Sequence, residues 1–243
     1  MLRLASFLLL VSTASALEIA RGMSAGEGSF EANSTKEELT SVANHGVDMS
    51  SLLTTDAAEC MVDKFSFVIP RGYRSSGTVD TNVCSSIHHA KNAGIPKRDA
   101  YLFPCPTCSK SAATQVQELV DYLNSNCHDH WSKRIWLDIE GSQYWTGNTG
   151  KNKDWYEKLV NACKNKSPKC GVYTSSSQWS AIFGSTSYKY GNDLPLWYAH
   201  YDGNANFDDF KSFGGWSSPH AKQYMGTTTS CNTGVDKNYS PNF

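Results

Sequence analysis

Ile135-Trp136-Leu137-Asp138-Ile139-Glu140-Gly141 is a short apolar run that ends in two carboxylates. Such a run, with no polar residue before Asp138, reads as a strand buried on both faces from Arg134 to Ile139, the kind found in parallel sheets covered by helices. Residues i and i+2 of a strand share a face, so Asp138 and Glu140 project together from its C-terminal end, with Trp136 on the same side. Two close acids resist ionising together, and the indole adds desolvation, so one of them should keep its proton to higher pH, as a general acid must. A strand end alone is equally well explained by a helix cap or a surface lysine partner.

Strand-like runs recur on both sides of this segment. Gly46 to Met49 and Phe65 to Ile69 precede a helix between Asp80 and Ala93. Val83, Ile87 and Ala90 share one face of that helix, Asp80 or Thr81 is available as the cap, and Gly94 is the stop. Ala100 to Phe103 is the next strand, and Val116, Leu119, Val120 and Leu123 have the spacing of an amphipathic helix. Beyond Ile139, Asp154 to Cys163 reads as a helix, and Cys170 to Thr174 and Leu196 to Ala199 as strands. Gln223-Tyr224-Met225 and Val235-Asp236 read as two last strands with little helix between them. Alternating units at roughly 35-residue spacing demand parallel strands with helical crossovers, and about eight strands permit closure. The expected fold class is therefore α/β, a modified TIM-like (β/α) barrel whose last units have lost their helices. An open doubly wound sheet is the competitor, and no Gly-rich phosphate turn follows an early strand to favour it.

In that barrel Asp48 ends the first strand and Asp236 lies in the last, so closure would bring both beside Asp138 and Glu140. Four carboxylates on one rim are costly unless something binds there. A calcium or magnesium site is the competing use, but no EF-hand spacing supports it, and neither metal nor cofactor is expected.

The ordered motifs Gly46-Val47-Asp48-Met49-Ser50, Leu137-Asp138-Ile139-Glu140, Leu196-Trp197-Tyr198-Ala199-His200-Tyr201, and Gln223-Tyr224 followed by Val235-Asp236 resemble those of glycoside hydrolase family 25 lysozymes. The resemblance implies a barrel of five βα units and three further strands. It also implies cleavage of the β-1,4 bond between N-acetylmuramic acid and N-acetylglucosamine in bacterial peptidoglycan. On this resemblance Glu140 is the general acid, Asp138 lies beside it, Asp236 faces the far side of the sugar, and Asp48 completes the acidic floor. Tyr101, Phe103, Tyr173 and Trp197 fall where the family has aromatic residues that stack on sugar faces, although barrel packing would use the same residues. Arg71 falls where the family often has a basic residue, but Pro70-Arg71-Gly72-Tyr73 departs from the usual pattern. A sugar-binding barrel that does not cut, and a chitinase-like glycosidase, are the alternatives. The intact acids argue against the first, and the lack of a further acid in Arg134 to Leu137 argues against the second.

Composition bounds the rest. The 243 residues are 40% hydrophobic and 19% charged, enough for one sizeable core. A formal charge of −1 offers no cationic field for nucleic acid. Arg3, the apolar run Leu4 to Val11 and Ala14-Ser15-Ala16 read as a signal peptide over residues 1–16, too short to span a bilayer. Residues 17–44 read as a polar leader or short propeptide and 45–243 as the barrel domain. Loss of Arg3 leaves 21 basic against 23 acidic residues. The expected protein is a monomer, secreted or held in a lysosomal or phagosomal lumen. Asn33 fits a glycosylation sequon; Asn165 and Asn238 also fit, but with a proline after each sequon. Eight cysteines suggest four disulfides, with Cys163 to Cys170 the simplest pair. Cys105-Pro106-Thr107-Cys108 has the spacing of a redox motif but is expected to be structural. His88, His89, His128 and His130 are expected at the surface. The seven histidines would add positive charge as pH falls towards 5, favouring contact with anionic cell walls.

Overall fold

The structure, a computed structural model, describes Val42 and residues 44–243. The signal-peptide reading, the leader and the Asn33 sequon lie outside these residues, apart from Val42 and Asn44.

Ten strands and five helices occur among the described residues: β1 (His45–Met49), α1 (Thr55–Met61), β2 (Phe67–Arg74), β3 (Thr78–Val79), α2 (Asn82–Ala93), β4 (Lys97–Arg98), β5 (Ala100–Leu102), α3 (Ala112–Cys127), β6 (Arg134–Asp138), α4 (Thr149–Lys166), β7 (Lys169–Thr174), α5 (Ser176–Phe183), β8 (Leu196–Ala199), β9 (Ala221–Ser230) and β10 (Thr233–Tyr239). Eight of the strands close on themselves in the order β1, β2, β5, β6, β7, β8, β9, β10, and β10 returns to β1. Six of the eight pairings are parallel, while β10 is antiparallel to both β9 and β1. Helices follow β1, β2, β5, β6 and β7, so the barrel has five βα units and three further strands. Pairing of β1 with both β2 and β10 excludes the open doubly wound sheet.

Alternation along each strand separates two cores. Phe67, Ile69, Tyr101, Trp136, Tyr173, Trp197 and Ala221 fill the barrel interior. Their neighbours Ala100, Leu102, Ile135, Leu137, Val172 and Leu196 face the helices. Gly171 is needed because the Trp136 ring lies 2.4 Å from where its Cβ would stand. The indole Nε1 of Trp136 donates to Asp99, 3.0 Å away.

Several expected boundaries shift for local reasons. β2 runs through Pro70 and Gly72, tolerated beside a register irregularity between Arg71 and Tyr73. On α2, Asp80 rather than Thr81 supplies the side-chain acceptor, for the Asn82 N–H at 3.3 Å. Asn148 caps α4 and starts it before Asp154, accepting from the Lys151 N–H. The two short final strands are one long hairpin. Its turn residues Cys231 and Asn232 both have positive φ, as a tight two-residue hairpin turn demands.

All eight cysteines are paired, as Cys60–Cys231, Cys84–Cys127, Cys105–Cys108 and Cys163–Cys170. No described helix is long and apolar enough to cross a membrane.

Candidate active site

Closure of the barrel sets Asp48 of β1 directly opposite Asp236 of β10 in the antiparallel ladder. Asp138 ends β6, and Glu140 follows two residues later. The backbone there is pinned: the Ile139 N–H donates to the Tyr173 carbonyl, and the Thr174 hydroxyl donates to the Ile139 carbonyl. Gly141 turns the chain at φ +63, a conformation that favours glycine, and its N–H donates to Gln178 of α5. The indole of Trp145 donates to the Glu140 carbonyl. Glu140 is thereby held at the C-terminal mouth.

The four acids share a pit of about 90 Å³ with Tyr101, Tyr173, Trp197, Tyr201 and Gln223. It opens into a trough of about 490 Å³ across Ser50, Ser51 and Thr227 to Thr229. The acids differ in their surroundings. Burial first, and then Asp236, pushes Asp48 up to about 8. Asp138 is raised well above the ordinary carboxyl value by burial and by Glu140, against a smaller opposing effect of Arg71. Burial and Asp236 raise Glu140. Asp236 is raised by burial too, but it accepts the Thr227 N–H at 2.6 Å. Asp138 Oδ1 is buried with no hydrogen-bond partner in the protein. The arrangement provides protonated carboxyl groups beside a carboxylate supported by an N–H donor, which is the equipment for acid-assisted attack on an acetal.

Of the residues nominated from sequence, Asp48, Asp138, Glu140, Asp236, Tyr101, Tyr173 and Trp197 meet in the pit. Phe103 stands outside it, with its ring 5.1 Å from that of Tyr144 in an edge-on contact. Arg71 is occupied: its Nε meets Asp80 at 2.9 Å and its guanidinium reaches the Ser50 carbonyl. Gln223 and Tyr201 were not nominated, although both lie in the quoted motifs. Gln223 shares a strand face with interior Ala221, and a buried amide two residues from an inward alanine is the signal that marks it. Tyr201, in the pit, is 60% exposed, large for an aromatic side chain, and Tyr144, which packs against Phe103 outside it, is 40% exposed.

His200, Asp202 and Asp209 form another cluster with metal-like spacing, apart from the pit. Buried Lys222 already lies within 2.9 Å of Asp202 and 2.5 Å of Asp209, so a cation is in place.

The profile described as "Lysozyme-like protein 1" matches residues 39–224. A curated relative, "Probable GH family 25 lysozyme 2" of Dictyostelium discoideum, is 45% identical over 197 residues, covering 81% of this chain and 90% of its own. Among solved structures, the family GH25 lysozyme of Aspergillus fumigatus matches with a TM-score of 0.63 at 21% identity, covering 81% of this chain and 93% of its own. The modular autolysin LytC of Streptococcus pneumoniae, in complex with a synthetic peptidoglycan ligand, matches with a TM-score of 0.57 at 16% identity, covering 80% of this chain and 46% of its own. These two share the fold. Closed barrel, acidic mouth and sequence relatives agree: the chain belongs to the glycoside hydrolase family 25 lysozymes.

Proposed function

We propose that this protein is a secreted muramidase that hydrolyses the β-1,4 bond between N-acetylmuramic acid and N-acetylglucosamine in bacterial peptidoglycan. The observation that carries the reading is the contrast between Glu140 and Asp236 across one small pit. Glu140 is raised by burial and by Asp236 and accepts no side-chain hydrogen bond among the described residues, which favours its protonated form. Asp236 has the Thr227 N–H at 2.6 Å to support its negative charge.

In the proposed reaction Glu140 donates its proton to the glycosidic oxygen as the bond to the anomeric carbon breaks. Positive charge that develops on the sugar is stabilised by the carboxylate environment. Asp236 orients the 2-acetamido group of the sugar, or a water molecule, for attack at that carbon. Burial, with Glu140 beside it, keeps the Asp138 carboxyl protonated, so a neutral group stands next to the acid. The exposed ring of Tyr201, which lines the pit, offers an apolar face to a sugar ring bound there. Four disulfides suit an oxidising compartment such as the extracellular space.

Digestion of purified peptidoglycan, borohydride reduction and mass spectrometry test the proposal. Products ending in reduced N-acetylmuramic acid are expected. Products ending in reduced N-acetylglucosamine would place the cut at the other bond, and no release of products would leave a sugar-binding barrel.

A further inference from the structure

The amide of Gln223 makes four hydrogen bonds while only 2% of the residue is exposed. Its Nε2 donates to Asp48 Oδ1 at 2.8 Å and to Asp236 Oδ2 at 3.4 Å. Its Oε1 accepts from the Tyr173 hydroxyl at 2.6 Å and from the Tyr201 hydroxyl at 2.7 Å. A second amide completes the set. The Trp197 indole is a donor with no acceptor, so Asn238 must turn its Oδ1 towards it, at 2.8 Å. The Asn238 Nδ2 is then left to donate to Asp48 Oδ1, also at 2.8 Å.

We propose that Gln223 is a positioning residue for the glycosidase reaction: held by the Tyr173 and Tyr201 hydroxyls, its amide bridges Asp48 and Asp236 and fixes how these two carboxyls face the substrate. The inference rests on the hydrolase reading above and assigns the bridge between two acids on opposite strands to one side chain.

Packing alone does not call for an amide here. The interior layer that Gln223 joins is made of Trp136, Tyr173, Trp197 and Ala221, and an apolar side chain would fill it without desolvating four polar contacts. What an apolar side chain cannot do is stand between two carboxyls. Charged and titratable groups face this bridge from every side: Asp48 on β1, Asp236 on β10, Asp138 and Glu140 at the end of β6, Tyr101 on β5, Tyr173 on β7 and Tyr201 after β8. Arg71 of β2 acts on Asp138 and Tyr101 through space but spends its N–H groups on Asp80 and the Ser50 carbonyl. Among the described residues, the side-chain and backbone N–H donors that reach the four pit carboxyls come from Gln223, Asn238 and Thr227. Removing one leaves two acids to repel across the pit with less support for their charged forms.

Gln223→Met keeps the length and volume of the side chain and removes the bridge; Tyr201→Phe keeps the ring and removes one of the two hydroxyls that orient it. Two readouts are taken on the intact protein. The first is a titration of carboxyl-carbon-13-labelled aspartates by NMR without substrate, and the second is kcat and KM on a soluble peptidoglycan oligosaccharide. In Gln223→Met the Asp48 and Asp236 signals should titrate at least about half a pH unit higher than in the native protein. The value of kcat should fall about 10-fold or more while KM changes less than about threefold. Tyr201→Phe should move both readouts the same way by a smaller amount, and it carries the test if Gln223→Met does not fold. Unchanged aspartate titrations in a folded variant overturn the proposal, as does a change confined to KM. Failure of the native protein to cut the oligosaccharide would instead remove the hydrolase reading, because the titration needs no substrate and still decides whether Gln223 holds the two acids.

Discussion

Asp48→Asn should stabilise the protein at neutral pH while impairing hydrolysis. Asp48 is 7% exposed, and burial with Asp236 nearby pushes its carboxyl up to about 8; the value in an unfolded chain is about 3.9. Between those values the folded protein holds a proton that the unfolded chain has released. The stability associated with this group is therefore complete below about pH 4 and is lost progressively as pH rises to about 8. At pH 7 the difference spans about three pH units, roughly 4 kcal/mol at 1.36 kcal/mol per unit. The neighbouring acids share the proton, and half of that figure, about 2 kcal/mol, is the gain expected from the substitution. An asparagine still accepts from Gln223 and Asn238, each 2.8 Å away, and has no charge to bury. For a chain of this size the gain corresponds to a rise of about 4–8 °C in Tm. Thermal melts of both proteins at pH 4, 5.5 and 7 should show curves that coincide at pH 4 and separate as pH rises. An equal gain at pH 4 and pH 7, or a loss at pH 7, would refute the reasoning.

Gly171→Ala places a methyl group 2.4 Å from the Trp136 ring and should cost about 1–3 kcal/mol in a thermal or denaturant melt; a normal melt would contradict the tight interior packing. Replacing Cys60 and Cys231, which are 171 positions apart, should lower stability by up to about 5 kcal/mol on chain entropy. Replacing Cys163 and Cys170, separated by 7, should cost about half as much, so the order of the two melts is the check. Since burial and Asp236 raise Glu140, the rate on a soluble oligosaccharide should fall on the alkaline side with a midpoint above the ordinary glutamate value; a midpoint at that ordinary value would show that Glu140 is not perturbed.

The barrel was legible because its strands are short apolar runs buried on both faces and its helices carry single apolar faces. Val83, Ile87 and Ala90 on α2 and Val116, Leu119 and Leu123 on α3 are buried as that spacing requires. What escaped were elements whose cause is not periodic. No helix was expected between Thr174 and Leu196, yet α5 forms there, with Ser175 capping it by accepting from the Gln178 N–H. The β9–β10 hairpin runs beyond the expected strands because its two arms pair with each other up to the turn, and its Cys231 turn is tied to Cys60 of α1, a partner that spacing does not reveal. At the pit, the acids stood out because each ends or interrupts an apolar strand. Gln223 did not, since an amide on a strand gains its meaning only when Asp48 and Asp236 are folded against it. The expectation that all seven histidines add charge on acidification also needs correction. Burial holds His45, His130 and His220 below the ordinary value; His220, at about 4, contributes little towards pH 5, and the other two gain charge at lower pH than a free imidazole. Asn238 of the third sequon is fully buried and hydrogen-bonded to Asp48, which removes it as a glycosylation site.

The central claim is that Glu140 supplies the proton that releases the leaving sugar, and Glu140→Gln measures it most directly, because the amide keeps the shape of the side chain but has no acidic proton to give. Initial rates on purified peptidoglycan, with circular dichroism and a thermal melt recorded on the same samples, should show at least about a 100-fold loss of turnover in a protein with native spectra and an unchanged or higher Tm. Near-native turnover in the folded variant would contradict the account.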